Sequence, residues 1–445
     1  MTPSVPPTSA EERAVIRKAA VRLLPFLCLL YFVAFLDRVN VGFAALTMNQ
    51  DIGLSATAYG FGAGIFFIGY FLFEVPSNLL LGRFGARRWI ARIMISWGLV
   101  SIAMAFVQGP ASFWSLRFLL GVAEAGFFPG IILYLTFWFP NSVRGAMIGY
   151  FLLANPLTSV IGAPLSTALL GTSLFGLAGW QTMFIIEGLP AIALGIVVLR
   201  WLRDSPAHAE WLSVREREVL TAAVARDQQR SQHSSLRDGL ANPRVWLFAL
   251  IYFGLNLGVY GFGFWAPQMI KSLGEFSNEQ IGLITVIPYA CGALAMFLWG
   301  RRSDRTGERR WHLAVPALVG AIGFLCGSHA NAVEIAIACY TLGAVGIFAA
   351  LPVFWTLPSA MLTDRAAAGG IALINSIGTL SGTLGPVMIG RLNEATGSYS
   401  AGLFLLSFSM AMAGVLTLFA GRSVAPPARA SVGGELASEA DDLRG

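Results

Sequence analysis

Charge is what this sequence has least of. Only 12% of its 445 residues are Asp, Glu, Lys or Arg, about half the density of a soluble domain, while 56% are hydrophobic. Such a chain cannot cover itself with polar surface, so an ordinary water-soluble domain is excluded. Lysine is nearly absent: Lys18 and Lys271 are the only two among 30 basic residues. Neither stands in a G-x-x-x-x-G-K-[ST] loop, which removes the phosphate cradle of an ATP-driven pump. The four cysteines (Cys28, Cys291, Cys326, Cys339) are scattered in apolar runs without C-x-x-C or Cys/His spacing. His208, His233, His312 and His329 fall in loops or near the ends of apolar runs, with no nucleophile in obvious register. No enzyme, metal, cofactor or nucleic-acid partner is therefore expected.

Long apolar runs are what the sequence has in abundance. Runs of about 20 residues mark membrane-crossing helices, and twelve are present: 22–42, 58–80, 88–108, 112–135, 144–170, 180–201, 245–270, 279–300, 312–328, 333–361, 367–390 and 400–421. The fold expected is an all-α membrane protein of twelve transmembrane helices in two six-helix halves. The first run is too long for a signal peptide and lacks a small-residue cleavage site. Arginine clusters before the first run and in every connection after an even-numbered one: Arg83, Arg87, Arg88 and Arg92, then Arg144, the long central connection, and Arg301 to Arg310. The opposite side holds Lys271 and Arg391. By the positive-inside rule both termini are expected to be cytoplasmic, with the chain in the cell's inner (cytoplasmic) membrane. The expected organisation is an N-terminal segment 1–21, a first half 22–201, a linker 202–244, a second half 245–421 and a tail 422–445. In the linker, Trp211, Leu212, Val219 and Leu220 make an amphipathic pattern suited to an interfacial helix.

The loop after the second run carries Arg83, Gly85 and Arg87; the loop after the eighth carries Arg305, Gly307 and Arg309. The residue numbers differ by 222 (305 − 83), half of the 445-residue chain, so the sequence is a tandem of two six-span units. Transporters built from repeats hold substrate near the bilayer midplane between them. The second loop, with Gly300, Asp304, Arg305, Gly307, Arg309 and Arg310, resembles the signature loop of the major facilitator superfamily. The first copy departs from it, with Asn78 at the leading Gly and Gly82 at the Asp. Within that superfamily, YFVAFLDRVNVGFAALTMNQDIGLS (31–55), FEVPSNLLL (73–81) and RFLLGVAEAGFFPGIILYLTFWFP (117–140) resemble the anion:cation symporters. The likeness extends to their bacterial tartrate-type and 4-hydroxyphenylacetate-type permeases.

Six ionisable residues fall inside the runs: Asp37, Arg38, Glu74, Arg117, Glu124 and Glu187. Each costs about 2.5–3.5 kcal/mol at a helix centre unless it finds a partner or a wet cavity. Arg117 and Glu124 are seven residues apart and share a helix face. Asp37 and Arg38 are adjacent, point about 100° apart, and cannot share one partner. Two pairs are therefore expected between the first and fourth spans, Asp37–Arg117 and Arg38–Glu124. They are either structural glue or working parts: arginines that attract a carboxylate, and carboxyls that take up protons. The family resemblance implies the second, with Asp37 and Glu124 in proton coupling and Arg38 and Arg117 in substrate binding or gating. Resemblance to the sugar-acid members places Tyr70, Asn155, Trp355 and Asn375 at the ligand, with Tyr260 and Trp265 as further mid-span candidates. Glu74 and Glu187 read as structural. The signature-loop residues, Asp304 above all, are expected to latch one state. The activity implied is import of a small organic anion (tartrate-like hydroxy-dicarboxylate, sugar acid or aromatic acid) with protons, by alternating access in a monomer. A uniporter or exchanger without proton coupling is the alternative.

Overall fold

The computed structural model describes residues 10–152, 154–228, 242–361 and 364–420; the expected tail 422–445 and residues 229–241 of the linker lie outside them. Every regular element among the described residues is helical. The reason is solvent: in hydrocarbon each backbone N–H and C=O must be satisfied within its own segment. Twelve helical spans are long and apolar enough to cross a membrane, and each apolar run of the sequence falls on one of them.

In chain order the first half contains α1 (Ala10–Asp51), α2 (Ala56–Phe84), α3 (Ala86–Ala103), α4 (Pro110–Glu124), α5 (Phe127–Trp138), α6 (Asn141–Leu152), α7 (Ala154–Leu170) and α8 (Gly179–Trp201). The linker helix is α9 (Val214–Gln228). The second half contains α10 (Pro243–Lys271), α11 (Asn278–Thr306), α12 (Arg310–Gly327), α13 (Val333–Phe354), α14 (Thr356–Met361), α15 (Asp364–Thr396) and α16 (Ser400–Phe419). Two spans are broken. The fourth divides into α4 and α5 at Ala125–Gly126, where Gly126 has φ +84° and an added Cβ would run into the Ser77 side chain. Only glycine takes that conformation and that space without strain. The tenth span divides at Trp355 into α13 and α14.

The two halves are sealed at the end away from the arginine-rich loops. There the Tyr59 hydroxyl donates to the Phe264 carbonyl (2.9 Å), Lys271 Nζ to the Leu46 carbonyl (2.8 Å) and the Thr57 N–H to the Glu394 carboxylate (3.0 Å). Helices α2 and α15 touch backbone to backbone along this seam. The Thr383 hydroxyl donates to the Gly64 carbonyl at 3.1 Å, and a Cβ added at Gly64 would lie 2.7 Å from the Thr383 carbonyl oxygen. Small residues permit that approach, as they do wherever helices pack in lipid.

At the opposite end α1 runs well beyond its apolar core; its 42 residues span about 63 Å. The extension binds the linker helix through Lys18–Glu216 (2.9 Å), Arg215–Glu11 (3.0 Å) and Arg226–Glu12 (2.7 Å). Ser213 and Glu216 cap each other's N–H at the start of α9, a capping box. The apolar side of this segment does not face lipid, as its amphipathic pattern suggests. Leu212, Leu220 and Val224 are buried, and Trp211 stacks on Trp138 with centroids 5.7 Å apart. Apolar surface was available on the protein, so the helix covered it there.

The two signature loops solve one problem differently. Gly307 (φ +68°) ends α11, and Asp304 pairs with Arg309 of the same loop at 2.7 Å. In the first copy Gly82 stands where the acid should be, and the carboxylate arrives from the linker instead: Asp204 accepts the Arg87 N–H at 2.8 Å beside Gly85 (φ +86°). Asp304 thus closes its own loop rather than reaching the other half.

Candidate functional site

Between the halves, on the arginine-rich side of the seal, lies a cavity of about 110 Å³. Helical spacing builds its walls. From α1 come Tyr31 and Arg38, seven residues apart; from α2 come Phe67 and Tyr70. Helix α7 supplies Asn155 just after its start. The second half faces them with Tyr252, Asn256 and Tyr260, a four-residue ladder on α10, and with Asn375 and Thr379 on α15. Trp355 enters at the break of the tenth span and packs edge-on against Tyr252, 4.8 Å between centroids.

Among the described residues Arg38 is the one charged residue of this lining. Its guanidinium forms an ion pair with Glu124, the last residue of α4, as the sequence led us to expect. The Arg38 side chain is 10% exposed and that of Glu124 only 1%, so the arginine meets the cavity while the carboxylate stands behind it. The guanidinium also lies 5.3 Å from the centroids of both Phe66 and Tyr70, positions in which a ring face attracts a cation. The C-terminal end of α4, with its partial negative charge, favours a cation at the same point.

The other expected pair does not form. Arg117 is fully buried and donates to the carbonyls of Gly62 (3.2 Å) and Ala63 (3.4 Å) on α2. Its guanidinium lies 5.0 Å from the Phe66 ring and 6.0 Å from the Phe264 ring of the second half. Asp37 turns the other way, toward α3, and accepts from Ser101 and, at 3.5 Å, from Asn40. The 100° between neighbours on a helix sends Arg38 to α4 and Asp37 away from it. Neither Arg117, Asp37 nor Glu124 lines the cavity. Trp265 does not line it either; it is buried and donates to the Pro386 carbonyl at 3.2 Å. Of the remaining expected residues, Tyr70, Asn155, Trp355, Asn375 and Tyr260 do line it.

The structure adds lining residues that the sequence reading passed over: Tyr31, Tyr252 and Asn256. The 252/256/260 spacing was a usable signal for two of them. Glu187 accepts from Ser166 at 2.7 Å, a structural bond as expected. Glu74 accepts from the Asn375 amide of the opposite half at 3.3 Å. None of the loop residues Arg83, Gly85, Arg87, Gly300, Asp304, Arg305, Gly307 and Arg309 lines the cavity, although Gly300 packs close to the lining residue Pro352.

The sequence profile described as Major Facilitator Superfamily matches residues 27–386 and 269–438. Among known proteins, the chain is 52% identical over 416 residues to an Agrobacterium vitis protein named "Putative tartrate transporter", covering 93% of this chain and 96% of that one. It is 44% identical over 410 residues to the "Quinolone resistance transporter" of Acinetobacter baumannii (91% and 94% covered). It is 41% identical over 409 residues to the "Inner membrane transport protein RhmT" of Escherichia coli strain K12 (91% and 95% covered). The fold matches that of a solved bacterial homolog of the human lysosomal transporter Spinster, described as inward-facing and unoccupied, with TM-score 0.68 and 18% identity over 94% of this chain and 96% of that one. It also matches a solved D-xylose-proton symporter, with TM-score 0.70 and 17% identity over 89% and 96%. The chain is a multi-pass membrane protein of twelve spans and belongs to the Major Facilitator Superfamily of transporters.

Proposed function

We propose that this transporter imports a small organic anion of the hydroxy-dicarboxylate class, tartrate-like, together with protons. The observation that carries the reading is the placement of Arg38: among the described residues a single cation faces the cavity, and its counterion is a carboxylate that does not. A substrate carboxylate entering the cavity competes with Glu124 for one guanidinium. With a proton on Glu124, Arg38 is released to hold the substrate; when the proton leaves, Glu124 recaptures Arg38 and the substrate carboxylate is displaced. Substrate and proton therefore travel together. The names of the relatives at 52% identity support a tartrate-like anion, and Asn155, Asn256 and Asn375 with five tyrosine or threonine hydroxyls suit its own hydroxyls.

Asp37, buried with Ser101 and Asn40, is the second carboxyl we assign to proton uptake. Arg117 we assign to the gate rather than to the ligand, because it lies at the seam beside Phe264. With termini and arginine-rich loops assigned to the cytoplasm of a bacterial inner membrane, the sealed end is assigned to the outside, and we take this arrangement as an inward-facing member of an alternating-access cycle. The halves rock about the cavity, exchanging the seal at α2–α15 for one at the loop end. Uptake of labelled tartrate into proteoliposomes, with and without an inward proton gradient, tests this reading. Gradient-driven accumulation is the expected result. Uptake indifferent to the gradient would leave a uniporter or exchanger.

A further inference from the structure

Glu74 is a buried carboxylate that the proposed cycle does not use. It lies on α2 one turn beyond Tyr70, 8% exposed, and accepts a hydrogen bond from Asn375 Nδ2 across the gap between the halves. Asn375 lines the cavity, and so does Thr379 one turn later on α15, whose hydroxyl donates to the Asn375 backbone carbonyl at 2.9 Å. An asparagine amide has two faces, a donating NH2 and an accepting oxygen, and nothing in its own chemistry decides which one a ligand meets. Here the neighbour decides. When Glu74 is ionised it can only accept, so Asn375 turns its NH2 group to Glu74 and its oxygen away from it.

We propose that Glu74 is a positioning residue that fixes the Asn375 amide with its oxygen toward the cavity, selecting anions that carry a hydroxyl donor over those that carry only carboxylates. The inference rests on the reading of the cavity as an organic-anion site and refines it: Arg38 takes the carboxylate common to the whole class, and Asn375 asks for the hydroxyl. An amide turned the other way would offer its NH2 to a second carboxylate and favour the unhydroxylated acid. Because a site built to hydrogen-bond a hydroxyl leaves its own polar group unpaired when the hydroxyl is missing, such a site discriminates strongly.

The test uses the full-length purified protein and two probes of equal chain length and charge, tartrate and succinate, with binding followed by calorimetry. Wild type is expected to bind tartrate about tenfold more tightly than succinate, the equivalent of one hydrogen bond. In Glu74→Gln the neighbouring amide can both donate and accept, both orientations of Asn375 become available, and the preference falls to roughly twofold with succinate affinity kept. Asn375→Ala, which also serves if the first variant folds poorly, is expected to lose the preference by itself, and Glu74→Gln added to it to change nothing more. A Glu74→Gln that weakens both probes equally, or leaves the preference intact, makes Glu74 a structural or electrostatic group and overturns the inference while the organic-anion reading stands. Binding of neither probe by wild type overturns both.

Discussion

Arg38 and Glu124 join the first and fourth membrane spans at the point where the fourth span breaks, and of the two only Arg38 reaches the cavity. Breaking one member of a buried pair leaves a charge uncompensated, typically at a cost of about 3–5 kcal/mol. Arg38→Met should therefore lower the melting temperature in detergent clearly, and Arg38→Met with Glu124→Gln should recover most of it. Neither variant should transport, because both lack the cation that holds the substrate. Recovery of transport in the double variant would show that the pair is glue alone.

Closure of the seam between α2 and α15 depends on glycine. A side chain at Gly64 meets the Thr383 backbone, and overpacking of this kind costs about 1–3 kcal/mol, enough to shift a two-state equilibrium roughly 5- to 150-fold. Gly64→Val should bias the protein toward the state with this end open. In a background without the four native cysteines, a cysteine at Val387 should then react faster with an impermeant maleimide applied from outside. An unchanged rate would mean that the seam does not open during the cycle.

On the proposed reading Arg117 serves gating rather than binding. It is satisfied by backbone carbonyls of α2 and lies against Phe264 of the other half. Arg117→Lys should reduce transport at least about tenfold while changing ligand affinity little, since ammonium and guanidinium differ in reach and geometry. A parallel loss of affinity would return Arg117 to the substrate.

The linker helix should respond to acid. The Lys18 ammonium, and then the Ser213 N–H, hold the Glu216 carboxyl below its usual value of 4.5. A depressed carboxylate stabilises the folded arrangement above the usual value, and that contribution is lost as pH falls through 4.5 and below. Amide protection over 214–228, corrected for intrinsic exchange, should thus hold down to about pH 5 and fall as pH drops through 4.5 and below. Lys18→Ala should remove most of the difference, as should high salt, because the contact is exposed.

The spans were legible because lipid leaves a chain no alternative to long apolar helices. Arg38–Glu124 was legible for a related reason: in a chain so poor in charge, each buried ion has few candidates for a partner. Asp37–Arg117 failed because hydroxyls and backbone carbonyls are partners too, and Ser101, Gly62 and Ala63 carry no mark in the sequence that sets them apart. The break at Gly126 could not be told from the sequence, where it is one of 49 glycines. Tyr31 escaped notice because a helix apolar on every side shows no face; the cavity exists only once two halves of the chain are set opposite each other. The linker misled in the opposite sense, its amphipathic pattern being real but its apolar side turned to protein.

Glu124→Gln in proteoliposomes, driven by an inward proton gradient and assayed beside counterflow exchange of the same labelled tartrate, is the most direct measurement of proton coupling. Loss of gradient-driven accumulation with exchange retained places the coupling proton on Glu124. Accumulation that persists in the variant, or that ignores the gradient in the wild-type protein, contradicts coupling through this pair.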